Sequence, residues 1–420
     1  MTLGLPLATL QRSRRRTLRP SWLDARVIGN GLAMNFVQDQ YWFDHASVSQ
    51  TSLIANNRNS PALFDNAAGV YSVFAANVPA ITDRGLYVGG QFTNKISAYN
   101  FNPALLAPAN AADFNAAAVP GTVAGHGGGG SLGLFGMTAD AEKVAAAGFG
   151  GIANGNVFQV DMSADVAGSG FFIFEDAVGD TNPHSWGAWV RNDGVDATLR
   201  AVGSASYGIV ALVPGPEYSF IKSENWIPDA AAKFRPQIAL GGVLRLFGMQ
   251  VVQSRFLPPP IVTEGAPATR LADSLTIPDF AAKAAALGFE NGFGGKAVVD
   301  LTRLSDPDRY IFSAGLDINN WMTLYVNAAN RIVFTTRQGG AAYQTLFTSS
   351  VIPAPGARTV EFGYSPAGGS YLNVEGVSDQ SGGAAFTAPV LSLGKIGQNI
   401  QSAAHLNGPL RELQLWGLAA

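Results

Sequence analysis

NWMTLYVN (320–327) alternates without a break: Met322, Leu324 and Val326 share one face of an extended chain, and Trp321, Thr323 and Tyr325 share the other. Successive side chains on a strand point to opposite sides, so this is a strand with one apolar and one polar-aromatic face. The same grammar surrounds it in KAVVDLT, RYIFSAG, RIVFTT, TVEFGY, SYLNVEG and LRELQLWG. In the last of these, Leu413 and Leu415 face inward while Glu412 and Gln414 face out. Upstream, VFQVDMS, GFFIFED, SWGAWVRND, TLRAVGSA and GIVALVPG recur about every ten residues, and QIALGGVLRLFGMQVVQSRF adds two more strands. Short strands at that rhythm predict an all-β fold, antiparallel sandwiches of jelly-roll type or a barrel.

Breaks in this pattern divide the chain. Residues 1–30 read as an extended basic arm, and 31–118 as a small β-rich attachment module of short strands and loops. The Gly-rich run 119–136, with Gly127 to Gly130 consecutive, reads as a linker. A first sandwich then occupies 137–256. FLPPPIVTEGAPATRLAD supplies a Pro-rich connector over 257–273, stiffened by Pro258, Pro259 and Pro260. A second sandwich fills 274–420. The two sandwiches open alike: AAAGF ends at Phe149 and AALGF at Phe289, each followed by Asn-Gly and a strand ending in Asp161 or Asp300. That parallel predicts two units on one plan.

Composition excludes several functions. None of the 420 residues is Cys, which removes disulfides, thiol catalysis and Cys-ligated zinc. The four His, at 45, 126, 184 and 405, show no helical pairing, so no metal site and no cofactor is expected. Charged residues make up only 14% of the chain, a surface suited to protein packing or to neutral polar ligands. No run reaches the roughly 18 apolar residues of a membrane span, and MTLGLPLATL is too short for a signal-peptide core. The formal net charge of −3 is uneven, with Arg12, Arg14, Arg15, Arg16, Arg19 and Arg26 near the start. QRSRRRTLR reads either as an arm that grips an acidic partner or as a solvated terminus. Sequence-specific nucleic-acid readout has no support beyond it.

Catalytic patterns fail on geometry. Glu175 and Asp176 are adjacent, so they point to opposite faces of a strand and cannot flank one bond. Asp306 and Asp308, in LSDPDRY, read as turn residues. With Asp317 they could offer loop oxygens to calcium, without the spacing of a known calcium loop. No G-x-S-x-G elbow occurs, and Ser185 beside His184 lacks a third partner. Four glycines followed by Ser131-Leu132 lack the Lys-Ser/Thr of a phosphate loop. The expectation is a protein that is not an enzyme.

Sugar binding fits the residue types better, because sugars use aromatic faces for their C–H surfaces and amide side chains for their hydroxyls. Trp226, in KSENWIPD, reads as an exposed loop aromatic. Trp321 and Tyr325 point the same way beside Asn319, Asn320 and Asn327. Trp186 and Trp189, three apart in one strand, lie on opposite faces, so one fills the core.

The order of FVQDQYWFD, ANVPAITDRGLYVGGQFTNKI and LFGMQVVQSRFLPPPIVTEGAPATRLAD resembles appendage and fibre-type structural proteins of tailed bacteriophages and related prophage particles. The matching positions are Asp83, Gly85, Leu86, Val88 and Thr93-Asn94, then Gln250, Pro258 to Pro260, Thr263, Thr269-Arg270 and Ala272-Asp273. Gly89-Gly90 replaces the acidic residue usual after the strand. The resemblance implies a carbohydrate-binding-module-like sandwich followed by a concanavalin-A-like or laminin-G-like one. It implies that the shared motifs are turns, strand ends and a domain junction. It further implies a virion exterior location (tail fibre, spike or head fibre), docking on other virion proteins through the N-terminal region, and a homo-oligomer, trimeric by analogy. The expected partner is host-surface polysaccharide or lipopolysaccharide. The alternatives are a decoration or baseplate protein with no ligand, and a virion-associated polysaccharide-degrading enzyme.

Overall fold

The structure, a computed structural model, describes residues 20–95, 131–136, 141–149, 156–161, 170–171, 181–193, 197–202, 206–227, 233–238, 243–263, 267–301, 308–347, 356–365, 369–380 and 389–418. The described residues are all-β, and every named strand pair is antiparallel. The arginines at 12, 14, 15, 16 and 19 lie outside them, as do the four consecutive glycines and Glu175, Asp176 and Asp306.

The downstream sandwich has a ten-stranded sheet facing a seven-stranded one. Its core draws Leu32, Met34, Leu86 and Val88 from the first hundred residues into contact with Phe293, Phe312, Leu324, Leu413 and Leu415. Gly31–Asn35 pairs along the closing strand Gly408–Gly417, with Leu32 opposite Leu415 and Met34 opposite Leu413. Gly85–Val88 pairs the same closing strand from Leu410 to Gly408. Residues 31–94 are therefore not a free-standing attachment module: they supply strands to both sandwiches. All five residues of Gly31–Asn35 are buried, as in a strand covered on both faces.

Residues 20–30 are not a free arm either. Leu23 and Val27 pack with Ala33, Trp42 and Trp416 on the outer face of the ten-stranded sheet. The guanidinium of Arg26 lies 4.1 Å from the Trp416 ring centroid and pairs with Asp24 and Glu361. This cover explains why Gln414 and Glu412, on the outward side of the closing strand, are buried. Gln414 donates to the Trp22 carbonyl (3.0 Å) and accepts from the Asp24 amide (2.9 Å), and Lys296 pairs with Glu412 (3.0 Å).

The upstream sandwich has a seven-stranded sheet and a four-stranded one. Ser131–Gly136, inside the expected linker, is a strand paired along Asn156–Asp161. The helical segments preceding Asn156–Asp161 and Phe293–Asp300 each end on a glycine of positive φ, Gly148 (93°) and Gly288 (66°), followed by a buried phenylalanine, Phe149 and Phe289. Each of those long strands, Asn156–Asp161 and Phe293–Asp300, pairs with the last long strand of its own unit. The two sandwiches thus share this helix-to-strand motif.

The expected connector 257–273 is packed along both units. Gln250 donates to the Pro258 carbonyl (2.9 Å) and accepts from the Ile261 amide (2.7 Å). Phe92–Asn94 is shared between Val243–Val252 and Ala268–Arg270. Thr93 and Thr269, 176 residues apart, join hydroxyls at 2.8 Å. Asn94 accepts from the Val251 amide and donates to the Met249 and Ile261 carbonyls. Beside them Asp273, 1% exposed, takes the guanidinium of Arg58 at 2.6 Å and that of Arg270 at 2.5 Å. It also accepts from the Gly89 amide at 2.8 Å. A Cβ on Gly89 would lie 2.7 Å from both the Arg270 guanidinium and the Tyr87 ring, which accounts for glycine there. Gly85 holds φ 119° where a Cβ would sit 2.4 Å from the Leu410 carbonyl.

Leu32, Met34, Leu86 and Val88 each contribute roughly 1.5–3 kcal/mol by burial. A fragment beginning at residue 137 loses all four and uncovers the Trp416 face. It is expected to show no cooperative unfolding transition in urea, monitored by tryptophan fluorescence, where the full chain does; a cooperative transition in the fragment would contradict the shared core.

Candidate functional site

The seven-stranded sheet of the downstream sandwich turns Met322, Leu324 and Val326 to the core and the opposite side of the same strand outward. On that outer side Trp321 stands opposite Arg337, Thr323 opposite Thr335, and Ser313 opposite both Thr323 and Lys395. Gly315 is the neighbour of Trp321 on the other flank, where a Cβ would lie 2.7 Å from the Trp321 Cβ. A cleft of about 270 Å³ opens there, lined by Trp321, Thr323, Ser313, Tyr310, Arg337, Ile318 and the loop residues Asn399, Ile400 and Gln401. This is just below the ~300–1,000 Å³ of a whole small-molecule pocket, a size for one unit of a longer ligand.

The cleft residues are held in place. Trp321 donates its indole N–H to the Ile318 carbonyl (2.9 Å), leaving the rings for contact. Arg337 donates from Nε to Gly340 (2.7 Å) and from Nη1 to Ile318 (3.3 Å). Thr323 donates to the Phe312 carbonyl (3.1 Å), so Ser313 is the donor in the 2.7 Å Ser313–Thr323 bond, and both hydroxyls are buried beneath the cleft. Tyr310 and Tyr325 stack at 5.2 Å and 17°. Burial, with Asp308 nearby, raises both phenols, Tyr325 to about 12, so they stay protonated donors at neutral pH. Burial lowers Lys395, whose ammonium donates to Ser402.

The loop wall is fixed from behind. Gln398 and His405 form a bridge across its base, and Asn399 accepts from the amides of Ala403 and Ala404. His405 contacts the Asp273 carbonyl at 3.1 Å, and burial lowers its pKa. The cleft wall is thus anchored on the inter-sandwich junction.

The residues expected from sequence divide sharply. Trp321 is in the cleft and Tyr325 lies beside it, stacked on Tyr310. Asn319 and Asn320 shape the adjoining turn. The Asn319 amide and the Asn320 side chain both donate to Asp317, holding its carboxyl below the usual range, and Asn320 accepts from the Gly339 amide. Asn327 accepts from the Ala329 and Arg331 amides, a turn role rather than a ligand role. Trp226 is a correction: it is 6% exposed, ending the strand Gly215–Trp226 against the His184 ring at 5.7 Å. Its polar neighbours belong to an edge strand, where polarity is normal, and not to a loop. Ser185 is likewise structural, donating to Ser254 and accepting from Asn225. Of the acidic turn residues, Asp308 accepts from Ala328, and the described residues hold no cluster of three or more His, Asp or Glu fit for a metal ion. Ser313, Tyr310 and Arg337 join the site through register with Trp321.

No protein-family model matches this sequence, and no curated protein matches it. Solved structures with a similar outline include the CBM40 module of the Ruminococcus gnavus IT-sialidase bound to α2,3-sialyllactose. It is 16% identical, over 33% of this chain and 82% of that one, with a TM-score of 0.28. Others are domain 4 of a GH43 extracellular arabinanase from Geobacillus stearothermophilus with arabinotriose (18%, 36% and 71%, TM-score 0.27) and a heptameric SAP-like pentraxin from Limulus polyphemus (12%, 31% and 66%, TM-score 0.23).

Exchanging each tryptophan for alanine separates core from surface. Trp226→Ala is expected to cost about 3–5 kcal/mol in urea unfolding, as a buried aromatic does. Trp321→Ala should cost less than about half of that, since its indole is only half-buried. Equal losses would place Trp321 in the core.

Proposed function

We propose that this chain is a glycan-binding protein that uses the Trp321 cleft, and that it works as an appendage of a tailed-bacteriophage particle. The observation that carries the binding reading is the anchored, half-buried indole of Trp321 beside the Tyr310 phenol and the amides of Asn399 and Gln401, in one cleft on the outer side of the sheet. Aromatic surface covers the apolar face of a sugar ring, and phenol and amide groups exchange hydrogen bonds with its rim. Tyr310 and Tyr325 extend the aromatic surface along the next row.

The virion reading rests on motif order in the sequence. Its support is that Thr93-Asn94, Gln250 and Thr269 to Asp273, far apart in the chain, meet at one junction, as a joint between modules would require. In this reading the arginines at 12, 14, 15, 16 and 19 dock the protein on other virion proteins. The sandwiches face host polysaccharide or lipopolysaccharide. Several copies in a homo-oligomer raise a weak single-site affinity.

A glycan array probed with the full-length protein tests binding. At least one host-type polysaccharide should be retained by wild type and lost by more than about tenfold in Trp321→Ala, a loss of the size one aromatic anchor supplies. Undiminished binding by Trp321→Ala would remove the cleft from the account.

A further inference from the structure

Every polar side-chain group facing the Trp321 cleft is a cation, an amide or a hydroxyl; its lining contains no Asp or Glu. Arg337 makes no ion pair among the described residues. Two backbone carbonyls hold its Nε and Nη1, which fixes the plane of the guanidinium and leaves Nη2 without a hydrogen-bond partner there. Lys395, two strands from Thr323 on the same polar row, also lacks a carboxylate partner among the described residues and bonds only a neutral hydroxyl. Two acidic groups flank the hairpin outside the lining: Asp317 is exposed and already accepts from Asn319 and Asn320, and Asp308, near Tyr310, accepts from the Ala328 amide.

A fixed guanidinium with a free edge beside an aromatic wall is a recognition element for a planar anion, and arginine pairs with carboxylates with directional, charge-assisted bonds. Building on the glycan-binding reading, we infer that the cleft takes an acidic sugar, its carboxylate on Nη2 of Arg337 and its ring against Trp321. Lys395 adds positive potential from the far side of the hydroxyl row without needing contact. A carboxylate on a sugar arises in two ways, as a hexuronic acid or as a 2-keto acid sugar, and both present the same charge to Arg337.

The test uses the full-length protein and isothermal titration with two probe pairs: a hexuronate oligosaccharide and a 2-keto-acid-terminated oligosaccharide, each beside its carboxyl-reduced counterpart. At least one acidic probe should bind about tenfold or more tightly than its reduced form, the scale of one hydrogen bond to a charged group. Arg337→Gln should erase that difference and keep the weaker, neutral-level binding. Trp321→Ala should weaken both members of the pair, and unfolding midpoints near wild type would show that both variants fold. Which pair shows the preference identifies the source of the carboxylate. Equal binding of acidic and reduced probes overturns the charge assignment and leaves glycan binding standing. Preference retained in Arg337→Gln also overturns it. No binding of any member, with no binding on the wider array, overturns both.

Discussion

A buried carboxylate with two guanidiniums on it, Asp273 between Arg58 and Arg270, holds the molecule's parts in register. Each arginine comes from a different stretch: Arg58 is also fastened to the carbonyls of Ser60, Ala75 and Val78, and Arg270 to that of Gly90. Asp273 in turn holds the Gly89 amide through its side chain and His405 through its carbonyl. Taking Asp273 away leaves two buried guanidiniums without their anion, which costs about 3–5 kcal/mol. These bonds are directional, and they fix where the strand Phe92–Asn94 lies between the two sandwiches.

Function follows from that placement. His405 closes the loop whose residues Asn399 to Gln401 wall the Trp321 cleft. The cleft floor is a rigid sheet, whereas its wall is a loop, and the loop's position depends on the junction behind it. Segments that look unremarkable in a search for catalysis thus set the geometry of the binding face.

The strand alternation of 320–327 is legible because a single face is buried, and period two then appears directly in the residue types. The paired openings AAAGF and AALGF are legible for a similar local reason, a glycine with positive φ before a buried Phe. Pairing between distant segments leaves no local mark. Gly31–Asn35 carries apolar residues on both faces because Gly408–Gly417 lies beside it and residues 20–30 lie over it, so its text matches any short strand. Gln414 and Glu412 look solvent-facing for the same reason. In the site, Trp321 is visible through its alternation, while Arg337 and Ser313 enter only through register with it. Trp226 misleads because an edge strand is polar on its outer side even where its last residue is buried.

The central claim is that the Asp273 cluster couples both sandwiches and the cleft wall. Hydrogen exchange by mass spectrometry on full-length wild type and Asp273→Asn tests it directly. The account predicts a concerted loss of protection in Gly85–Val88, Phe92–Asn94, Val243–Val252 and the 398–405 loop, since these elements converge on one node. Loss confined to residues adjoining 273, with the other segments protected as in wild type, would contradict it.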